Sequence, residues 1–168
     1  MTYIQHYNSP LGDILLSADD IGLTGLWLDS QKYFGGTLPQ GLTAIADELF
    51  SGCTDLTEVN IGRNCRKIGD HAFYGCTALS VVRIASDEIS VDAYTTFSGC
   101  DSLRTVYFRS MRVYYALRGQ MDLLEVLYIG KDLPKSKEMD LSDFEETESD
   151  EWGYVRYARR GAEKPTEE

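Results

Sequence analysis

"FSGCTDLTEVNI" (residues 50–61) returns as "FYGCTALSVVRI" at 73–84 and as "FSGCDSLRTVYF" at 97–108. Cys53, Cys76 and Cys100 therefore recur at 23 and then 24 residues. A period of this length is the mark of a stacked-repeat architecture, in which each unit buries its apolar face only against its neighbours. Over the whole period five apolar columns align: Ile45/Ile68/Val91, Phe50/Phe73/Phe97, Leu56/Leu79/Leu103, Val59/Val82/Val106 and Ile61/Ile84/Phe108. The third copy carries one extra residue before its phenylalanine.

Each copy ends in Leu-x-x-Val-x-Ile or its equivalent, an alternation by two that predicts a strand with one buried face. "DELF", "DHAF" and "YTTF" are too short for helices and read as single turns, after which Gly52, Gly75 and Gly99 reverse the chain. "VYYALRGQMDLLEVLYIG" (113–130) reads as a worn fourth copy, with Met121 at the cysteine position and Arg118 replacing the phenylalanine. "LPQGLTAI" (38–45) supplies half of an earlier unit. The expected fold is β-rich α+β: a short solenoid of about four rungs over residues 38–130.

The recurring cysteines admit four readings. Metal binding calls for thiolates converging on one point, typically from Cys-x-x-Cys pairs, and no two cysteines here are so close. Cysteines on adjacent rungs could come within disulfide reach, but stacked side chains point in parallel and three leave one unpaired. A reactive thiol needs a basic or dipolar neighbourhood, which the following Thr54, Thr77 and Asp101 do not offer. A free cysteine is otherwise a small, habitually buried hydrophobe. Cys53, Cys76 and Cys100 are thus expected to form a structural ladder beside Phe50, Phe73 and Phe97, and Met121 in the fourth copy keeps only the bulk and apolarity. Cys65, beside Arg66 and Lys67, is the better candidate for a reactive thiol.

The repeats resemble the BspA-like leucine-rich repeat family, with units of the form "LPxxVTxIxxxAFxxCxxLxxVxI", over residues 38–129. The proline after the strand is kept at Leu38-Pro39 and lost at Ile61-Gly62 and Ile84-Ala85. The resemblance implies a curved solenoid and a binding role, several members being surface or secreted proteins. Residues 1–37 are a different segment. "SPLGDILLSADDIGLTGLWLDSQKYFGGTL" resembles the opening of methylated-DNA–protein cysteine methyltransferases, "SPLGxLLLAxxxxGLxGLWFxxQKYF". That family's nucleophile sits in Pro-Cys-His-Arg, and "NCR" at 64–66 lacks both the proline and the histidine, so no catalytic residue carries over. The segment reads as a three-stranded antiparallel β-meander, with Leu15, Leu26 and Trp27 to bury, and is expected to cap the first rung.

The net charge of −11 argues against nucleic acid as the main partner. Residues 131–168 are expected to be a partly disordered acidic tail, since 138–151 hold eight carboxylates and no base. "EWGYVRYARRG" (151–161) adds Arg156, Arg159 and Arg160 and reads either as a strand docked on the last rung or as a loose interaction segment. No apolar run reaches the ~20 residues of a membrane span, and no signal peptide is visible. The chain as written is expected in the cytoplasm, or at the cell surface or secreted if a leader was removed. His6 and His71 stand far apart, and no phosphate loop, Gly-x-Ser-x-Gly or His-Glu-x-x-His motif occurs, so no enzyme, metal or cofactor is expected.

Solenoids bind through an exposed strand face. The residue between the inward Val and Ile of each strand should point out, giving the column Asn60, Arg83, Tyr107, Tyr128, with Glu58, Val81, Thr105 and Val126 beside it. Tyrosine and arginine are enriched in binding hot spots, against the plainer reading of cross-strand pairing on a solvated face. The expectation is a non-catalytic interaction module for another protein. The alternatives are an adhesin-type surface domain lacking its leader and a nucleic-acid-associated relic of the repair protein without its catalytic domain.

Overall fold

The computed structural model describes residues 43–91, 94–134 and 138–161 in full, and at the N-terminus the backbone of three strands. These are β1 (Tyr3–Ser9), β2 (Gly12–Ala18) and β3 (Leu23–Leu28). The side chains of His6, Leu15, Leu26 and Trp27, and all of residues 38–42, lie outside the described residues. The repeats then alternate short and longer strands: β4 (Ala44–Ile45), β5 (Glu58–Ile61), β6 (Lys67–Ile68), β7 (Val81–Ile84), β8 (Ser90–Val91) and β9 (Thr105–Phe108). Helix α1 (Met111–Ala116) and a 3-10 turn (Arg118–Leu123) follow. The described residues end in β10 (Val126–Gly130), β11 (Phe144–Ser149) and β12 (Tyr154–Arg159).

Two open sheets result among the described residues. One has nine strands in the order β1-β2-β3-β5-β7-β9-β10-β12-β11, and the other has three, β4-β6-β8. Parallel pairing runs from β3 to β10, while β1–β2, β2–β3, β10–β12 and β11–β12 are antiparallel. Parallel register follows the sequence period: Val59, Val82, Val106 and Leu127 stand side by side. The five columns are buried, apart from half-buried Phe50 at the first turn.

The turns between the sheets stack as regularly as the strands. Phe50 N–H donates to Ala72 O (2.9 Å) and Gly52 N–H to Tyr74 O (2.7 Å); one rung on, Phe73 N–H donates to Thr96 O (3.0 Å) and Gly75 N–H to Ser98 O (2.8 Å). These bonds satisfy backbone groups that a turn would otherwise leave open. They need a left-handed residue at the corner, supplied by Gly52, Gly75 and Gly99 with φ of +72°, +69° and +77°. Gly69 has another reason to be glycine: a Cβ there would lie 2.6 Å from the backbone carbon of Ala46.

The last rung departs from the pattern read in the sequence. Ser110 caps α1, its Oγ accepting from Arg112 N–H (3.3 Å), and the helix takes the place of the single turn. Leu117 is fully buried while Arg118 is exposed. The core position is thus filled one residue earlier than the alignment placed it, because a helical turn advances the chain differently from the six-residue turns of the other rungs.

The acidic stretch is not a loose tail. Residues 138–143 cross α1, where the Tyr114 hydroxyl accepts from Asp140 N–H (2.8 Å) and Tyr115 hydrogen-bonds Glu138. The stretch continues as β11, the edge strand of the large sheet, with Phe144 buried and the glutamates exposed. Its apolar residues dock it: Met139 and Leu141 pack on the core beside Phe144. Charged side chains on a sheet edge also discourage a further strand from adding. The arginines that follow complete the seal, Arg159 Nε donating to Leu124 O (2.7 Å) and Arg160 N–H to Asp143 O (2.8 Å).

Candidate binding face

Cys53, Cys65, Cys76 and Cys100 are free. The Cys76 thiol donates to Phe50 O (3.1 Å), and the Cys100 thiol to Phe73 O (3.2 Å), so each reaches the preceding rung. This is a use for cysteine beyond bulk: its weak S–H donor ties one rung to the next inside the core. Burial pushes both thiols up to about 12, with a neighbouring cysteine adding to the shift, so neither is nucleophilic at neutral pH. Cys65 is no reactive thiol either. It is fully buried, donates to Lys67 O (3.3 Å), and its pKa is raised by desolvation despite the adjacent basic residues. No group of three or more His, Cys, Asp or Glu among the described residues is placed to hold a metal ion.

His71 also resolves into structure. It has φ of +52°, and Glu48 and Tyr94 hold the same corner of the neighbouring rungs at +57° and +76°. Its Nδ1 lies 3.0 Å from Asp70, whose carboxyl is held below its usual range chiefly by the Thr95 hydroxyl. A feature repeated at each corner belongs to the turn.

The outward column comes together as the spacing predicted, in register across the strands: Asn60 beside Arg83, Arg83 beside Tyr107, Tyr107 beside Tyr128. It runs on to Arg156 of β12. The tyrosine rings stack with centroids 4.0 Å apart and planes 2° from parallel, and the Arg83 guanidinium lies over Tyr107 at 4.9 Å. Tyr154 meets Tyr107 edge-on at 5.7 Å. The strands fix one ring on each backbone at their own spacing, which brings the two faces into contact. Burial, and then Tyr128, push the Tyr107 hydroxyl up to about 12.

Asn60 does not face solvent. It is 4% exposed, its amide donating to Glu58 Oε1 (2.9 Å) and its carbonyl oxygen accepting from Arg83 (3.4 Å), while Arg83 also pairs with Glu58. Its longer neighbours Glu58 and Arg83 pair with each other beside it, and between them they satisfy its buried amide. Arg83, Tyr107 and Tyr128 are partly exposed. The open part of the column therefore starts at Arg83. Arg156 joins the column only through the register of the β11–β12 hairpin on β10, which no periodicity announces.

A parallel stack of short strands and tight turns, with a cation–aromatic row on its outer side, is a leucine-rich repeat scaffold. The chain belongs to the BspA-type leucine-rich repeat family, matching the BspA type leucine rich repeat region (6 copies) over residues 34–117. Among solved structures it is similar to a leucine-rich repeat protein from Bacteroides ovatus ATCC 8483, with 22% identity, a TM-score of 0.40, and coverage of 62% of this chain and 28% of that one. It is likewise similar to the T. pallidum leucine-rich repeat protein, with 28% identity, a TM-score of 0.40, and coverage of 62% of this chain and 47% of that one. The chain thus matches less than half the length of either. No curated protein matches it.

Proposed function

We propose that this protein is a non-catalytic interaction module that holds a partner protein on its outer strand face, at Arg83, Tyr107 and Tyr128. The observation that carries this reading is the stacked tyrosine pair, 4.0 Å apart, with a guanidinium over one ring and both rings partly open to solvent. Rings already held by strand spacing lose little further freedom when a partner covers them, so more of the contact energy is kept as affinity. The test is an affinity pull-down comparing the wild type with Tyr107→Ala/Tyr128→Ala. Loss of a captured protein that the wild type retains is expected, and an identical bound set from both baits would overturn the reading.

The N-terminal strands serve the same face from the other end. β3 pairs in parallel with β5 at Leu26 and Val59, which extends the sheet beyond the repeats. In our reading residues 1–37 act as the cap of the first rung. Deleting them should expose the β5 edge and cause aggregation. A soluble, fully folded deletion product would refute the cap.

A further inference from the structure

Beyond the tyrosine row, at the C-terminal ends of the strands, lies Gly130, paired with Tyr154 of β12. A Cβ on Gly130 would stand 2.8 Å from Arg109 Cγ, so the glycine gives the Arg109 side chain room to lie across β10. Arg109 uses that path to reach the β11–β12 turn, donating to Trp152 O (2.7 Å) and Gly153 O (3.4 Å), with its guanidinium 4.4 Å from the Tyr154 ring centroid. Lys131 N–H donates to Gly153 O (2.9 Å), Lys131 Nζ to Asp150 O (2.9 Å), and Tyr154 N–H to Asp150 Oδ1 (2.8 Å). The turn is thus held at four residues, and on it Trp152 stands 71% exposed.

Beside this indole lies a cleft of about 390 Å³, lined by Arg63, Asp87, Arg109, Asp132, Glu151 and Trp152 among others. Three carboxylates meet two guanidiniums there: Asp132 pairs with Arg109 (Oδ2–Nη1 3.8 Å), which also donates to backbone carbonyls, and this leaves Asp87 and Glu151 against Arg63. The local excess is negative, in a protein of net charge −11. A large apolar ring held out to water beside carboxylates suits a cation that is flat and weakly hydrated. A guanidinium meets both conditions: its face stacks on indole while its edge donates to carboxylate. The cleft adjoins the tyrosine row through Tyr154, which touches both Arg109 and Tyr107.

We propose that this cleft seats an arginine side chain of the partner protein, its guanidinium stacked on Trp152 and paired with the rim carboxylates of Asp87 and Glu151. That the arginine is carried by a protein rests on the strand-face reading; the seat itself is tested apart from it. The full chain is titrated with acetyl-Gly-Arg-Gly-amide while the Trp152 indole N–H resonance, identified by its loss in Trp152→Phe, is followed by NMR. The peptide with citrulline in place of arginine is the uncharged control.

A saturable shift is expected, about fivefold weaker with citrulline and about fivefold weaker in Asp87→Asn/Glu151→Gln. Tyr107→Ala/Tyr128→Ala should leave the titration intact, so a failed pull-down and a failed titration strike different claims. Equal response to both peptides overturns the proposal, as does an indole resonance that neither peptide moves. A shift produced by methyl glucoside but not by the arginine peptide overturns it too, and reassigns the cleft to a saccharide.

Discussion

Along the inside of the stack each column repeats one residue type or a near neighbour, whereas the outside column runs through three kinds of side chain in five strands. Phe50, Phe73 and Phe97 stack at 5.3 and 5.7 Å between centroids, and the cysteines behind them bond from rung to rung. Outside, Asn60, Arg83, Tyr107, Tyr128 and Arg156 follow one another, an amide, a guanidinium, a pair of phenols and a second guanidinium. The inner positions share one environment, a dry slot between two copies of themselves, and one solution serves them all. The outer positions share only a direction, so chemistry there is free to vary. The contrast separates what holds the fold from what a partner could touch.

The hardest strain on that contrast is Phe73→Ala, in a middle rung with aromatic neighbours on both sides. It should cost ~3–5 kcal/mol in urea denaturation. Phe50→Ala, at a half-buried terminal position, should cost clearly less, and equal losses would mean that the rungs are not coupled as neighbours. Next is glycine at two corners. Gly69→Ala drives a Cβ into the Ala46–Asp47 backbone and should cost about 1–3 kcal/mol by thermal melting. Gly52→Ala meets nothing within 4 Å and carries only the left-handed backbone penalty, about 1 kcal/mol.

Alkaline pH acts on inside and outside together. Cys76 and Cys100 are raised from 9.0 to about 12 and Tyr107 from 10.0 to about 12, so in the folded state all three hold their protons more tightly than in the unfolded chain. Their contribution is complete below pH 9 and drains away as the pH climbs toward 12. A denaturation midpoint that falls over this window in the wild type should fall less in Cys76→Ala/Cys100→Ala. A midpoint that falls equally in both would show the thiols to be exposed. The smallest effect belongs to Glu58→Gln. Its pair with Arg83 is about a third exposed on each side, so stability should drop by less than about 1 kcal/mol. A larger loss would mean that Asn60 depends on Glu58 more than its own bonds suggest.

How much of this could be read before the fold was known differs by region. The five inner columns, the corner glycines and the register of Arg83, Tyr107 and Tyr128 follow from the period, because a repeat meets the same neighbour at the same offset. Asn60 departs from that column because direction is not exposure: the alternation sets which way it points, but the Glu58–Arg83 pair beside it leaves it 4% exposed. The eight carboxylates of residues 138–151 masked Met139, Leu141 and Phe144, whose sparse apolar pattern is enough to anchor a strap and an edge strand. Leu117 rather than Arg118 enters the core because α1 replaces a turn, a change of geometry that alignment alone does not carry.

By itself, then, the sequence determined the stack: period, buried columns and corners are local choices repeated, and each rung needs only the next one to be satisfied. Tertiary structure alone decided the ends and the rim. Arg109 meets Trp152 across 43 positions, Arg159 seals Leu124 across 35, and Tyr114 holds Asp140 across 26. Such contacts obey no period. They form only once distant segments have been brought to the same edge of the sheet, which is where the exposed indole and its cleft arise.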